Sequence, residues 1–477
     1  MTPSRIILAV SLLAGGAIRI WLALHDDGVY WPDEVYQSLE PAHWLVYGYG
    51  LLPWEFVDGM RNWAFPGLVA ALLKSCQMAG IDDPRTYISV VKLVFSAISL
   101  ACAAGTYMLA RAYAAGRNEA AAGAALCALL APFIYFAPRA MSESASALPV
   151  VLGFALALSP AAGRARTIAG ASLVGLSVLF RLQAGVFAVA LLLILLARRQ
   201  TGRAIEALGT LVVFAVLFGW IDHLAWSGVP GTRLDGWFHS AFTYLQFNLI
   251  EGNAANWGTS PWSYYFTALW NAAPFAMLLA AGLAILAWRP AAGLLATTAI
   301  FIALHVAVPH KELRFIVPAL PLLCALVGIG LTALPAGRWR MPAIAAVLLA
   351  ASLSGARFHA LTYADVGMYP NRASESAYDD PGPVNRLLLI ARNRPGLCGV
   401  RIDAVHIAWS GGYTYLHRRV PMLNSDKASL DSGWVSHVIA REGADLPGEI
   451  IAREGRFILI ELPSRPCVWP PDFQWRL

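Results

Sequence analysis

The chain has 477 residues, is 58% hydrophobic and 13% charged, and has a mean hydropathy of +0.57. Soluble domains carry about 25% charged residues, so the composition excludes a soluble globular protein and describes a polytopic α-helical membrane protein. The net charge of +6 does not argue for nucleic acid as a partner. Most basic residues sit in short clusters between apolar spans, where they orient a chain in the lipid bilayer.

The first apolar run, Ile6 to Leu24, follows Arg5 and precedes no small-residue cleavage site, so it reads as a retained first span. Trp31 to Pro66 comes next and reads as an outward-facing loop. It opens with the adjacent carboxylates Asp33 and Glu34 and adds Glu40, His43, Glu55, Asp58 and Arg61, interleaved with Trp44, Tyr47, Tyr49, Trp54 and Trp63. Aromatic rings are satisfied at a membrane–water interface; acids held at that level are costly unless solvated, paired or used.

Trp63 to Gly80 is apolar but carries Pro66, Lys74 and Gln77. Basic clusters in short loops mark the cytoplasmic side. Here they are Arg111/Arg117, Arg164/Arg166, Arg198/Arg199/Arg203, Arg289 and Arg338/Arg340. If Trp63–Gly80 lies in the interface and Tyr87 to Ala110 is the second span, every cluster falls on the side of Arg5; if it crosses, all of them flip. It is therefore read as an interfacial or re-entrant helix. Further spans are expected near Ala120–Pro138, Ala145–Ser159, Ile168–Phe180, Gln183–Ala197, Ile205–His223, Ser263–Ala287, Ala291–Val308, Val317–Leu334 and Met341–Leu353, about 11 in all at the usual span length. The basic clusters on the side of Arg5 put the N-terminus in the cytoplasm, and an odd count puts the C-terminus on the opposite side. The outward side then collects the acidic loop, Pro138 to Glu143, Arg181, the long Ala225–Trp262 loop, His310 to Phe315 and everything after about Arg357.

Residues 1–356 are thus expected to form the transmembrane catalytic domain, with residues 25–86 as a large first extracytoplasmic loop. Residues 357–477 are expected to form a small soluble α/β domain on the outer face. In that domain Val384–Arg392 reads as a helix, and Gly399–Val405, Tyr413–Val420 and Arg456–Leu462 read as strands from their β-branched and aromatic residues. Its plainest role is a structural lid or packing module. Cys76, Cys102, Cys127 and Cys324 lie in or beside apolar spans; Cys398 and Cys467 are free to pair if their region is outside the cytoplasm. No metal-ligand spacing such as CxxC occurs. A strong preference for Arg over Lys, with many alanines, points to a GC-rich bacterial genome and hence a bacterial inner or plasma membrane.

The second unusual stretch is His310-Lys311-Glu312-Leu313-Arg314-Phe315 between two apolar spans. Two strong cations outside the cytoplasm run against the charge rule. A phosphate ligand explains that cost, with Lys311 as a point charge and Arg314 as a planar fork, and with His310 on the same oxygen or acting as an acid.

Asp33-Glu34, Glu40-Pro41-Ala42-His43, Tyr47-Gly48-Tyr49-Gly50, Trp54-Glu55-Phe56 and Arg61 resemble the first luminal loop of the Alg9-like mannosyltransferases, which include the GPI mannosyltransferases. His310-Lys311-Glu312-x-Arg314-Phe315 resembles their H-K-E-E-R-F signature. Arg139-Ala140-Met141-Ser142 resembles an R-x-x-S-N element, and the segment from Asn248 to Phe266 is similar to an N…G…Y-G-x-x-P-W-x-Y-Y region. Three positions depart from the family: Glu143 stands where Asn is usual, Leu313 replaces the second Glu, and Pro53 precedes Trp54 where Thr is usual. The resemblance implies a C-type membrane glycosyltransferase, a polyprenyl-phosphate sugar donor such as dolichyl-phosphate mannose, and transfer with inversion to a glycan or glycolipid acceptor.

The chemistry of the residues agrees. A sugar hydroxyl is a poor nucleophile, and a carboxylate within hydrogen-bond reach can take its proton; Asp33 is the expected catalytic base. Glu34 is expected to orient Asp33 or to bind an acceptor hydroxyl. The leaving phosphate needs charge stabilisation, for which Arg61, Arg139, Lys311 and Arg314 are the candidates. The resemblance adds His43, Glu55, His310 and Glu312 as substrate contacts. The scheme requires no metal or cofactor, since adjacent Asp-Glu without a third close acid makes a poor cage. Two other readings stand beside the enzyme. A transporter or flippase of lipid-linked sugars needs polar residues near the bilayer midplane in opposed half-helices, and a scaffold displaying the C-terminal domain leaves Asp33 dispensable.

Overall fold

The computed structural model describes residues 2–28, 31–366, 372–378, 382–427, 429–469 and 473. The chain divides into two compact units. The first contains Met1–Ala23, Asn62–Phe65 and Leu93–Ala377; the second contains Leu24–Arg61, Pro66–Lys92 and Tyr378–Leu477.

The first unit is helical. Among the described residues of the chain, five helices are long and apolar enough to cross a membrane: Pro3–His25, Pro84–Ala112, Thr201–Trp226, Trp288–Ala307 and Leu313–Ala333. Ala64–Met78, Ser142–Ala157, Leu182–Ala197, Pro274–Leu286 and Arg340–Ala356 are shorter apolar helices. With few large side chains, helices approach until backbones touch. A Cβ at Gly153 would lie 2.7 Å from the Gly170 carbonyl, so Ser142–Ala157 and Arg164–Phe180 pack closely there.

Two stretches expected as single spans are broken, each at a proline. Arg117–Leu129 stops at Leu130, whose ψ of 118° is extended, and Ala131–Tyr135 begins again around Pro132. Pro132 has no N–H, so it cannot bond the carbonyl four residues earlier, which belongs to Ala128. That carbonyl instead accepts from Arg19 Nη1 at 2.7 Å. Arg19, buried in the first helix, also reaches Gly15 O at 3.1 Å and Ser99 Oγ at 3.2 Å. The second break separates Tyr264–Ala272 from Pro274–Leu286 at Ala273.

The second unit carries a five-stranded sheet in the order β2-β1-β3-β5-β4, where β1 is Val400–Ile402, β2 Met422–Asn424, β3 His437–Arg441, β4 Glu449–Glu454 and β5 Phe457–Glu461. β1 runs parallel to β2 and β3; β5 runs antiparallel to β3 and β4. One face buries Val438, Ala440, Ile458 and Ile460. The helix expected at Val384–Arg392 is Gly382–Arg392, with Val384, Leu387, Leu388 and Ala391 buried along one side. Cys398 and Cys467 form a disulfide.

The expected strand at Tyr413–Val420 is instead the short helix Gly412–Leu416, ended by His417 at φ 44°. All five helical residues are buried, so the aromatic content that reads as β-propensity reflects burial rather than extension. β3 and β4 were not read. β4 is an edge strand, Glu-Ile-Ile-Ala-Arg-Glu, with no apolar alternation and an irregular register between Ile450 and Ala452.

Candidate functional site

In the second unit, Trp31 is extended and Pro32 opens a helical run, Pro32–Glu34, that passes through a wide π turn at Val35–Leu39 into Glu40–Tyr47. Asp33 and Glu34 occupy its first turn, where the exposed N–H groups favour negative charge. The neighbours differ in access: Glu34 is 1% exposed and Asp33 is half-buried. Farther along the loop, Glu55 Oε1 accepts from Arg61 Nη2 at 2.7 Å and Nε at 3.1 Å, and from Gln37 Nε2 at 3.4 Å. Arg61 is therefore held by Glu55 in a fixed orientation.

His43 lies inside the unit. Its Nδ1 faces the Tyr49 carbonyl at 3.0 Å, which puts the proton on that nitrogen, and its Nε2 accepts from His417 Nδ1 at 2.9 Å. One turn earlier, Glu40 takes Leu51 N–H at 2.9 Å, Thr414 N–H at 2.6 Å and the Thr414 hydroxyl at 2.8 Å. Gly412 makes this close approach possible: its φ is 59°, and a Cβ there would lie 2.6 Å from Glu40 Oε1. Tyr36 donates to Ile407 O at 2.6 Å. The helical run that begins with Asp33 is thus clasped along its length by the C-terminal segment.

The clasp has a pH signature. Burial pushes the Glu40 carboxyl up to about 7 despite its three donors. Burial, reinforced by the neighbouring His417, pulls His43 down to about 3, and burial pulls His417 down to about 4. A raised acid binds its proton more tightly when folded, so Glu40's contribution is complete below 4.5 and is lost as pH rises to about 7. The histidines act oppositely: theirs is complete above 6.5 and is lost as pH falls toward 4. Glu40→Gln is expected to remove the loss on the rising side, worth on the order of 3 kcal/mol at about 1.4 kcal/mol per pH unit. Thermal melts of the detergent-solubilised protein from about pH 5 to pH 7.5 check it; a variant that keeps the wild-type pH slope disproves the assignment.

In the first unit, the His310–Phe315 stretch enters a 3-10 helix, Leu313–Ala319, which contains Pro318 and leads into the buried helix Leu320–Ala333 with Pro321 in its first turn. A chain of charges runs through it. His310 Nδ1 lies 3.2 Å from Gly258 O, and its Nε2 lies 2.7 Å from Glu312 Oε1. Arg314 Nε donates to Glu312 Oε2 at 2.5 Å, and its Nη1 lies 3.2 Å from Glu143 Oε1. Glu143 in turn meets Arg181 Nη1 at 2.8 Å, and both arginines lie over the Phe315 ring. Burial opposes the charge on Glu312, but Arg314 and His310 outweigh it and hold the carboxyl well below its ordinary range.

Lys311 Nζ donates to the carbonyls of Val308, Ser260 and Pro309 at 2.7, 2.9 and 3.4 Å. Arg139 is fully buried, bonds Tyr135 O at 3.3 Å and lies over that ring. Of the residues expected from sequence, His310, Glu312 and Arg314 join in one network, Lys311 and Arg139 sit in the same unit on backbone carbonyls, and Glu55 pairs with Arg61 in the other unit. Asp33, Glu34 and His43 also belong to that other unit. Sequence reasoning did not assign Glu143 and Arg181 to the site. The signal was the departure at Glu143: an added acid on a buried helix calls for a counter-charge, and Arg181 supplies it. Among the described residues, no three His, Cys, Asp or Glu side chains gather as a metal site.

Comparison with known proteins bears on the family. The model of the Alg9-like mannosyltransferase family matches residues 10–370, a stretch that includes both Asp33-Glu34 and His310–Phe315. GPI mannosyltransferase 3 of Yarrowia lipolytica is 32% identical over 325 residues, 65% of this chain and 60% of that protein. GPI alpha-1,2-mannosyltransferase 3 of Xenopus laevis is 27% identical, over 71% of this chain and 62% of that protein. The chain therefore spans only about 60% of the length of such relatives. In fold, it is similar to ArnT from Cupriavidus metallidurans bound to undecaprenyl phosphate, with a TM-score of 0.60 at 13% identity over 95% of this chain and 97% of that one. It is also similar to the Archaeoglobus fulgidus oligosaccharyltransferase, with a TM-score of 0.53 at 12% identity over 91% of this chain and 68% of that one. Its fold is that of a multi-pass membrane glycosyltransferase, and the chain belongs to the Alg9-like mannosyltransferase family.

Proposed function

We propose that the protein is an inverting mannosyltransferase that moves a mannose-like sugar from a polyprenyl-phosphate donor to a glycan or glycolipid acceptor on the extracytoplasmic face of a bacterial membrane. The observation that carries the reading is the family match, which runs through both the acidic pair at 33–34 and the cation cluster at 310–314. In this reading the N-terminus is cytoplasmic, and the loop at residues 25–86 and the domain at residues 357–477 lie outside.

Asp33 is the base. It takes the proton of the acceptor hydroxyl as the new C–O bond forms on one side of the anomeric carbon. The bond from that carbon to the phosphate oxygen breaks on the other side, and its electron pair leaves with the polyprenyl phosphate. A single displacement inverts the anomeric centre. Lys311, Arg314, Arg61 and Arg139 stabilise the charge developing on the phosphate, at about 3–4 kcal/mol for each preorganised group. Glu312 and Glu55 hold Arg314 and Arg61 in fixed orientations. Glu34, His43 and His310 shape the surroundings of substrate, and no metal enters the scheme.

Purified protein given radiolabelled polyprenyl-phosphate mannose and lipid-linked glycan acceptors is expected to form a glycosidic product of opposite anomeric configuration to the donor. Movement of intact donor across a liposome membrane with no transfer to any acceptor identifies a flippase instead.

A further inference from the structure

The long segment after Thr201–Trp226 is built inside out for a segment in water. Its helical stretch His239–Leu245 continues as a π turn, Gln246–Ile250. Phe242, Leu245, Leu249 and Ile250 are exposed, and their spacing of three, four and one residues puts them on one face. Ser240, Tyr244 and Asn248 lie on the other side and are bonded, while Gln246 is exposed next to Leu245 and turns to Glu251 Oε1 at 2.9 Å. Buried Asp222 accepts from Ser240 N–H at 2.9 Å and from its hydroxyl at 2.7 Å, as well as from Asn62 Nδ2 at 2.7 Å. Gln183 Nε2 donates to the Tyr244 hydroxyl at 2.5 Å, and Asn248 Nδ2 donates to Tyr244 O at 3.1 Å. Aromatic contacts fasten the start of the segment to the preceding helix. Phe218 stacks with Phe238, and Trp226 lies 4.6 Å from His239. Gly219 leaves the room, since a Cβ there would lie 2.7 Å from the Trp237 ring.

In sequence, the exposed face is flanked on both sides by further exposed apolar residues. Leu224, 64% exposed, lies in the last turn of the apolar helix before it, and Phe266 and Trp270 follow on Tyr264–Ala272 at 61% and 53%. Trp257 and Trp262 flank it at 58% and 73%, and tryptophan collects at membrane interfaces. A helix bolted to the protein by Ser240 and Tyr244, with its apolar side exposed between two candidate membrane segments of the chain, matches an interfacial amphipathic helix.

We propose that His239–Ile250 lies along the bilayer interface with Phe242, Leu245, Leu249 and Ile250 in lipid, so that the partner of this face is the bilayer itself. The segment is then a strap that Asp222 fixes against the protein. This does not depend on the transferase reading.

The test is site-directed spin labelling of the full-length protein in phospholipid nanodiscs. The four free cysteines are buried and Cys398–Cys467 is bonded, so Ile250→Cys offers an accessible thiol for a nitroxide. Val213→Cys on the apolar helix and Lys427→Cys on the sheet-bearing unit, 64% and 66% exposed, serve as lipid and water references. The label at position 250 is expected to collide severalfold more with oxygen than with a water-soluble nickel complex, at a depth of about 5–10 Å below the headgroups. Accessibility like that at 427 puts the strap in water and overturns the proposal. Shielding from both reagents means that protein covers the face, and overturns it too. Leu249→Cys repeats the measurement if Ile250→Cys folds poorly.

Discussion

Asp33→Asn is expected to lower sugar transfer by roughly 10²–10⁴-fold, the range for losing a positioned base, with little change in thermal stability. The substitution keeps the side chain's size and most of its hydrogen bonding while removing its basicity. Asp33 is half-buried in the first turn of a helical run, so its carboxylate gains from the helix N-terminus and remains accessible. Glu34→Gln makes the contrast. Its side chain is 1% exposed, so its replacement is expected to disturb folding more than the chemical step. The check is kcat measured under saturating donor alongside a thermal melt for both variants. Wild-type turnover by Asp33→Asn removes it as the base, and a loss confined to Glu34→Gln transfers the role.

The second large effect is expected at Glu143. Glu143→Asn installs the side chain that the family resemblance implies at that position, but leaves Arg181 without its carboxylate and Arg314 with Glu312 alone. Breaking a buried ion pair by removing one member costs about 3–5 kcal/mol, because the remaining charge stays out of water. Arg181→Gln added to Glu143→Asn removes the stranded charge and is expected to restore most of that loss. The readout is the melting temperature from a thiol-reactive dye, which reports exposure of the buried Cys76, Cys102, Cys127 and Cys324. If the double variant melts no higher than Glu143→Asn alone, Arg181 is not the counter-charge that Glu143 serves.

The chemistry-bearing stretches were legible because charge is scarce in this chain. Acids and cations that interrupt apolar spans stand out, as they do at 33–34 and 310–314. The partners of those charges were not legible: Glu143 and Arg181 meet only once two helices pack, and Glu40 meets Thr414 across 374 positions of sequence. Hydropathy located the apolar segments but averaged through their breaks, although Pro132 and Pro274 sit where the helices part. In the C-terminal region, propensity found β1, β5 and the helix at 382–392. It took buried tyrosines at 413–415 for a strand and passed over β4, a charged edge strand without alternation.

Arg19 bears on how the protein is made. Its guanidinium sits in the first apolar helix, yet the carbonyl it caps belongs to Ala128, 109 residues downstream. During synthesis the first helix reaches the translocon long before that acceptor is available. A cation at the centre of an inserting segment costs about 2.5–3.5 kcal/mol on insertion scales; Arg19 lies nearer the C-terminal end of its helix, where the cost is smaller, and within that helix it has only the Gly15 carbonyl to bond. Its contacts to Ser99 and then Ala128 form only as the later helices arrive, so the final bonding of this guanidinium is completed by the proline-broken helix.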